Sequence, residues 1–278
     1  MTPETSVQRS SRPLAAAAVE KARNGPTVSV VIPTIDEARN LPFVLPRIPH
    51  WVHEVILVDG ESTDGTIEIA RALRPDITII CQPRRGKGAA LQAGFSAATG
   101  EVIVTLDADG SADPAEIPMF VAALVNGADF VKGSRFLQGG GTTDMELLRK
   151  AGNWALRTAV RVSFGGRYSD LCYGYNAFWT RILPAIDGPA DGFEIETMMN
   201  VRVLAAGLKV VEIPSFEAER IHGVSNLRTF RDGLRVLRVI ARERALFGRR
   251  YAPALAAPSP PPVELVPVGG TDGPGHAR

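Results

Sequence analysis

With 278 residues, 22% charged and 45% hydrophobic, and 31 Lys and Arg against 30 Asp and Glu, the chain has material for one large α/β domain or two small ones. A formal net charge of +1 makes no case for a nucleic-acid partner, and Cys81 and Cys172, with no Cys-x-x-Cys or Cys/His cluster, argue against a disulfide framework or a structural zinc. No run approaches the roughly eighteen apolar residues of a membrane span, and Ala15 to Ala18 is too short for a signal core, so the expected location is the cytosol, where nucleotide-activated substrates are found.

In chain order, residues 1–26 are polar and without periodicity, which predicts a disordered leader, and the Pro- and Gly-rich stretch 251–278 predicts a disordered tail. Between them, 27–250 reads as a single domain. Val28 to Ile32, Val55 to Val58, Ile77 to Ile80, Val102 to Val104 and Phe130-Val131 predict strands; Ile67 to Leu73, Ala89 to Ala98 and Ala115 to Asn126 predict the intervening helices. Near-continuous apolar strands separated by helices imply a mostly parallel, Rossmann-like sheet covered on both faces, and in such sheets ligands gather beyond the carboxyl ends of the strands.

Polar chemistry falls at four consecutive strand ends. Pro33, Thr34, Asp36 and Glu37 follow the first, and Asp59-Gly60 begins a turn that runs to Asp64-Gly65-Thr66 after the second. Asp64 and Thr66 can cap the next helix, whereas Asp59 closes a buried strand, where an acid needs a partner such as a nucleobase or ribose donor. Arg85-Gly86-Lys87-Gly88 follows the third strand at a helix start, favourable ground for an anion. It lacks the spacing of a P-loop or a dinucleotide fingerprint, which weakens ATPase and dehydrogenase readings.

Asp107-Ala108-Asp109 follows the fourth strand. Two carboxylates two residues apart at the end of a buried strand are costly unless a positive charge sits between them, and hard oxygen donors suit Mg²⁺ or Mn²⁺, ions that usually bring phosphates. The alternative is an acidic turn in which one Asp caps the helix that Pro114 opens.

Pro33-x-x-Asp-Glu-x-x-Asn, the Asp59 turn, Arg85-Gly86-Lys87-Gly88, Asp107-Ala108-Asp109 and Gly133-Ser134-Arg135 occur in the order found in family 2 glycosyltransferases of the GT-A fold, which the chain resembles over about residues 27 to 247. The resemblance is closest to polyprenyl- and dolichyl-phosphate sugar synthases and continues through Asp170-Leu171-Cys172-Tyr173-Gly174-Tyr175-Asn176, Phe193-Glu194-Ile195-Glu196, Glu212-Ile213-Pro214 and Arg220 to Leu227. It implies that Pro33, Thr34, Asp36, Glu37 and Asp59 hold the nucleoside, with Gly60, Asp64, Lys87 and Ala108 lining the donor site. Asp107 and Asp109 would bind the metal on the donor diphosphate, and Arg135, Arg149 and Arg220 would engage phosphates of donor or acceptor. Ser111 stands where relatives often have Gln or His, and Asn226 where a Lys is frequent, with Arg228 two residues on.

The resemblance further implies transfer of a hexose from a nucleotide sugar of the UDP-glucose or GDP-mannose type to polyprenyl phosphate, with inversion at the anomeric carbon. A lipid phosphate is already an anion near neutral pH and needs no general base; a saccharide or small-molecule hydroxyl does, and Asp170, Glu194 or Glu196 is then the candidate. Each of these acids also has a structural reading, as a loop-ordering residue or as first-turn acids favoured by a helix dipole. From Arg228 to Arg250 there are eight Arg against Asp232 and Glu243. Arg231, Arg235, Arg238 and Arg242 recur at helical spacing over about 229–247, with Phe230, Leu234, Leu237 and Ile240 on another face. Such a helix suits peripheral contact with an anionic membrane at its inner face, and equally a solvated face on a helix packed against the core. A sugar nucleotidyltransferase or a non-catalytic nucleotide-sugar-binding protein is the remaining alternative, and the sequence sets no oligomeric state.

Overall fold

The computed structural model describes residues 25–143, 147–223 and 229–250; apart from Gly25 and Pro26, the expected leader and tail lie outside the described residues. Strands β1 (Val28–Thr34), β2 (Glu54–Asp59), β3 (Thr78–Cys81), β4 (Val102–Thr105) and β5 (Phe130–Ser134) lie where the apolar runs predict them. A short β6 (Gly141–Thr142) follows, then β7 (Asn176–Trp179), β8 (Val210–Pro214) and a short β9 (Phe216–Glu217). The helices are α1 (Leu41–Val44), α2 (Thr66–Leu73), α3 (Lys87–Ala97), α4 (Ile117–Val125), α5 (Leu147–Phe164), α6 (Leu183–Ile186), α7 (Glu194–Ala205) and α8 (Thr229–Arg250).

Seven strands form one sheet in the order β3-β2-β1-β4-β7-β5-β8, and β6 pairs with β9 in a separate parallel ribbon. Every pairing in the large sheet is parallel except those of β7, which runs antiparallel to both β4 and β5. The result is the expected single-domain, mostly parallel α/β sheet flanked by helices, with one reversed strand that the sequence pattern did not signal.

Alternation along the strands decides which helix packs where. Val28, Val30 and Ile32 face the cluster containing Leu41, Val44, Ile117, Phe120 and Leu124 from α1 and α4. Val31, Ile56, Val58 and Ile103 face the opposite cluster with Leu91 and Phe95 of α3 and Met198, Met199 and Val203 of α7. A third cluster, Val160, Leu171, Val201, Val236 and Ile240, joins α5, α7 and α8 beside the sheet. There the Arg202 guanidinium donates to both oxygens of Glu243 at 2.9 and 2.8 Å, a fully buried pair that ties α7 to α8.

The predicted helix at Ala115 to Asn126 begins later than expected: Pro114–Glu116 make a single 3-10 turn before α4. Asp113 caps that turn, its side chain accepting from the Ala115 N–H at 2.8 Å. The acids of the Asp-Ala-Asp triplet are therefore not its cap.

Candidate active site

A cavity of ≈ 760 Å³ opens beyond the carboxyl ends of the strands. Pro33, Thr34 and Glu37 reach it from the end of β1, Lys87 from the first turn of α3, and Asp107, Ala108 and Asp109 from the end of β4. Arg135 after β5, Glu196 in α7 and Arg220 after β9 complete its polar wall. Asp36, Asp59, Gly60, Asp64, Asp170 and Glu194 stand outside the lining.

Three cations organise the wall, each between two carboxylates. Lys87 Nζ lies 2.7 Å from Asp107 Oδ1 and 2.7 Å from Glu196 Oε1. Arg220 pairs with Glu37 at 2.7 Å and with Asp109 at 3.3 Å. Arg135 grips Asp170 through Nε and Nη2 at 2.6 and 3.0 Å and Glu217 through Nη1 at 2.8 Å. Burial opposes the charge on Lys87, but Asp107 and Glu196 outweigh it and hold the ammonium pKa above the ordinary lysine value. Burial likewise pushes the Asp170 carboxyl up, yet the Arg135 hydrogen bonds and charge prevail and hold it below the usual carboxylate range. At Glu37 burial wins over Asn40 and Arg220, and the carboxyl is raised.

Backbone geometry makes these meetings possible. A Cβ on Gly174 would lie 2.8 Å from both Lys87 Nζ and Glu196 Oε1 and 3.0 Å from Asp107 Oδ2, so a side chain there would displace the Lys87 bridge. The segment is fixed from behind by Thr105 Oγ1, donating to the Gly174 carbonyl at 2.8 Å, and by Lys132 Nζ, donating to the Tyr173 carbonyl at 2.6 Å. Lys132 is fully buried, and that burial lowers its pKa against the pull of Asp170 and Glu196.

The loops after β1 and β2 are knitted together. Asp36, with a left-handed φ of 53°, accepts from the Thr63 N–H at 2.8 Å, and Asp64 accepts from Ala38 N–H at 3.0 Å while capping α2 through Thr66 N–H at 3.1 Å. Asp59 Oδ2 accepts from the Ser62 N–H at 3.0 Å, whereas its buried Oδ1 has no hydrogen-bond partner. Gly60 lets this turn pass under Gln82 and the Thr34 carbonyl, which a Cβ would meet at 3.0 and 3.2 Å. Asp36 Oδ1 and both Asp64 oxygens are thus spent on the loops, and Asp59 keeps one buried acceptor free.

Asp107 and Asp109 could hold Mg²⁺ or Mn²⁺. Among the described residues no group of three or more His, Cys, Asp or Glu forms a metal site by itself, so the two carboxylates need further oxygens, such as those of a diphosphate and water. The charge balance fits. Among the described residues, the four carboxylates Asp107, Asp109, Glu37 and Glu196 form ion pairs with two cations, Lys87 and Arg220, an excess of negative charge that suits a divalent ion. Ser111 spends its hydroxyl on Asp109 Oδ1 at 2.7 Å.

The other half of the cavity is mostly apolar: Gly152, Ala155 and Leu156 of α5 and Leu234, Val236 and Leu237 of α8 line it, with Asn153 and Asp232 as its polar members. The expected apolar face of α8 is divided: Ile240 is buried with Val236 and Val239, while Leu234 and Leu237 stay exposed, at 55% and 45%, near the exposed Arg231 and Arg238. The physical reason is the buried Glu243, which turns the packed face towards Arg202. Arg228 and the Phe230 and Arg149 side chains fall outside what the structure describes, and among the described residues no helix is long and apolar enough to cross a membrane.

Sequence reasoning missed Lys132, Glu217 and the Gly174 contact. Lys132 carried a signal, a lone lysine inside an apolar strand; Glu217 carried none, since its partner Arg135 lies eighty-two residues away.

The sheet with its reversed strand, and a polar cavity at the strand ends, define a glycosyltransferase of the GT-A fold. In structure the chain resembles glucosyl-3-phosphoglycerate synthase from Mycobacterium tuberculosis in complex with Mn²⁺, UDP-glucose and phosphoglyceric acid, with a TM-score of 0.63 and 21% identity over 87% of each chain. The sequence profile described as glycosyl transferase family 2 matches residues 29–186, and the chain belongs to that family. It is 34% identical to an undecaprenyl-phosphate mannosyltransferase of Micrococcus luteus over 72% of this chain and 87% of that one. To a polyprenol monophosphomannose synthase of Mycolicibacterium smegmatis it is 33% identical, over 71% and 80% of the two chains.

Proposed function

We propose that the protein is an inverting, metal-dependent hexosyltransferase that moves a sugar from a nucleotide donor of the UDP-glucose or GDP-mannose type to polyprenyl phosphate. One observation carries the reading: a single cavity joins a wall of paired charges to an apolar cleft between α5 and α8. The first half suits a metal-bound diphosphate, the second the hydrocarbon of a lipid whose phosphate meets the sugar between them. Relatives named for undecaprenyl-phosphate and polyprenol substrates support the acceptor.

The acids support it too. Asp170 is committed to Arg135, Glu194 accepts from the Gly192 N–H at 3.1 Å outside the cavity, and Glu196 is paired with Lys87. Glu194 Oε2 has no hydrogen-bond partner but stands outside the cavity lining, and a phosphate acceptor needs no general base. The mechanism then divides among the chain's residues. Asp59, with its free oxygen, and Pro33 and Thr34 at the cavity edge hold the nucleoside; Asp36, Gly60 and Asp64 shape the loops that carry them. Asp107 and Asp109 would hold the metal, which would supply charge neutralisation to a departing diphosphate. Arg220, the more open arginine, keeps Glu37 at 2.7 Å and turns from Asp109, 3.3 Å away, to a phosphate, while the more buried Arg135, gripped by Asp170 and Glu217, steadies the wall beneath it. Leu234 and Leu237 at the cleft, with the exposed Arg231 and Arg238 on the same helix, suit peripheral contact with an anionic membrane, where the lipid resides.

The test is incubation with Mg²⁺ or Mn²⁺, a panel of UDP- and GDP-sugars, and polyprenyl phosphate or hydroxyl acceptors, followed by mass spectrometry. The expected product is a polyprenyl-phosphate hexose; a sugar appearing only on hydroxyl acceptors would replace this reading with the hydroxyl-acceptor one. Formation of a new nucleotide sugar from a sugar phosphate would indicate nucleotidyl transfer instead.

A further inference from the structure

Each acid of the Asp-Ala-Asp triplet is already paired with a cation from within the chain. Lys87 bridges Asp107 and Glu196 at 2.7 Å each, and Arg220 bridges Asp109 and Glu37 at 3.3 and 2.7 Å. The two arrangements share one logic: a cation, one acid inside the triplet, and one acid outside it. The outer acids are anchored. Glu196 is buried in the first turns of α7, and Glu37 is buried and accepts from the Asn40 amide.

A divalent ion reaching Asp107 and Asp109 meets two positive charges already in contact with those acids. At a few ångströms in a site partly shielded from water, like charges repel more strongly than in bulk solvent. Neither side chain has to leave the site, because each keeps its second carboxylate.

We propose that Lys87 and Arg220 are resident counter-ions of Asp107 and Asp109 that change partners when the metal enters, settling on Glu196 and Glu37 and turning their charge to the donor diphosphate. The inference rests on the proposed nucleotide-sugar donor. Without a diphosphate, the metal competes with two internal cations and binds weakly. With one, the released cations gain an anionic partner, so metal and diphosphate strengthen each other's binding. Glu196 and Glu37 are positioning residues in this exchange: they touch neither metal nor substrate, and they set where the displaced cations go.

Mn²⁺ binding, followed by the electron paramagnetic resonance of the free ion, tests the exchange without any turnover. In Lys87→Met, Mn²⁺ alone should bind at least about fivefold tighter than in the wild type, the lower end of ordinary coupling between sites. UDP or GDP at saturating Mn²⁺ should bind more weakly to the same variant. Glu196→Gln should weaken Mn²⁺ binding about fivefold while Lys87 is present, because the lysine is then left on Asp107 alone, and much less in the Lys87→Met background. Arg220→Gln with Glu37→Gln forms the matching cycle around Asp109 and decides the matter if a Lys87 variant does not fold. Unchanged Mn²⁺ affinity in Lys87→Met and Arg220→Gln would overturn the exchange. So would an effect of Glu196→Gln that is equal in both backgrounds, as a fixed background charge would give. If the wild type with Mn²⁺ binds neither UDP nor GDP, the donor reading fails, and the metal-only results still decide the exchange.

Discussion

The two halves of the cavity hold their shape by different means. At the strand ends, short loops carry charged groups that are fixed by contacts of 2.6 to 3.3 Å, as in the Lys87, Arg220 and Arg135 clusters. Between α5 and α8, the lining side chains are mostly apolar, and two of them, Leu234 and Leu237, remain exposed. The contrast teaches what each half can recognise. Recognition of a metal-bound diphosphate depends on a few charges at fixed places and fails when one is lost, whereas a hydrocarbon chain asks only for apolar area and tolerates exchange of one side chain for another.

The largest effect is expected outside the cavity lining, at the tie between α7 and α8. Glu243→Gln leaves Arg202 buried without its counter-charge and should cost about 3 kcal/mol of stability. Urea unfolding measures this, and loss of the α7–α8 tie should disturb the apolar half first. Asp109→Asn comes next: transfer should fall at least about a hundredfold, or about 2.7 kcal/mol of barrier, with the fold intact by thermal melting. Nucleoside diphosphate release is the readout, and unchanged turnover would remove the metal from the mechanism.

Asp170→Asn sharpens the comparison through pH. The folded-state pKa of Asp170 is depressed by Arg135 against burial, so its contribution to stability is full above the unfolded carboxylate value, about 4, and is lost as pH falls through the folded value. The variant should therefore lose about 2 kcal/mol at neutral pH and show a flatter decline on the acid side, measured as urea midpoints from pH 7 to pH 3. The smallest change belongs to the rim of the apolar half. Arg231→Gln should weaken binding to anionic vesicles about fivefold at low salt, corresponding to about 1 kcal/mol, and leave stability nearly unchanged. An unaltered vesicle affinity would favour a solvated helix face.

The same division governs what could be read from the sequence. β1 to β5 are short, apolar and β-branched, so pattern alone located them, and with them the strand ends where Asp59, Lys87, Asp107 and Arg135 sit. β7 was missed because Asn176-Ala177-Phe178-Trp179 has neither strong alternation nor a turn pattern announcing its reversed direction; pairing with β4 and β5 makes it a strand. In α8 the spacing of apolar and basic residues showed a helix but not its buried side. That side is fixed by Arg202 and Glu243, charged residues that no apolar pattern would place in a core. The partners of the cavity cations were illegible for the same reason: Glu37 and Arg220, or Arg135 and Glu217, meet only through the fold.

Transfer measured side by side with polyprenyl phosphate and with the matching polyprenol, under one nucleotide sugar and one divalent metal, bears most directly on the proposed function. With no free general base at the cavity, sugar should pass to the phosphate-bearing lipid, with stoichiometric release of nucleoside diphosphate, and the alcohol should give no product above background. Comparable transfer to polyprenol would contradict a phosphate-anion acceptor and require a proton-accepting carboxylate in a cavity whose acids are all paired.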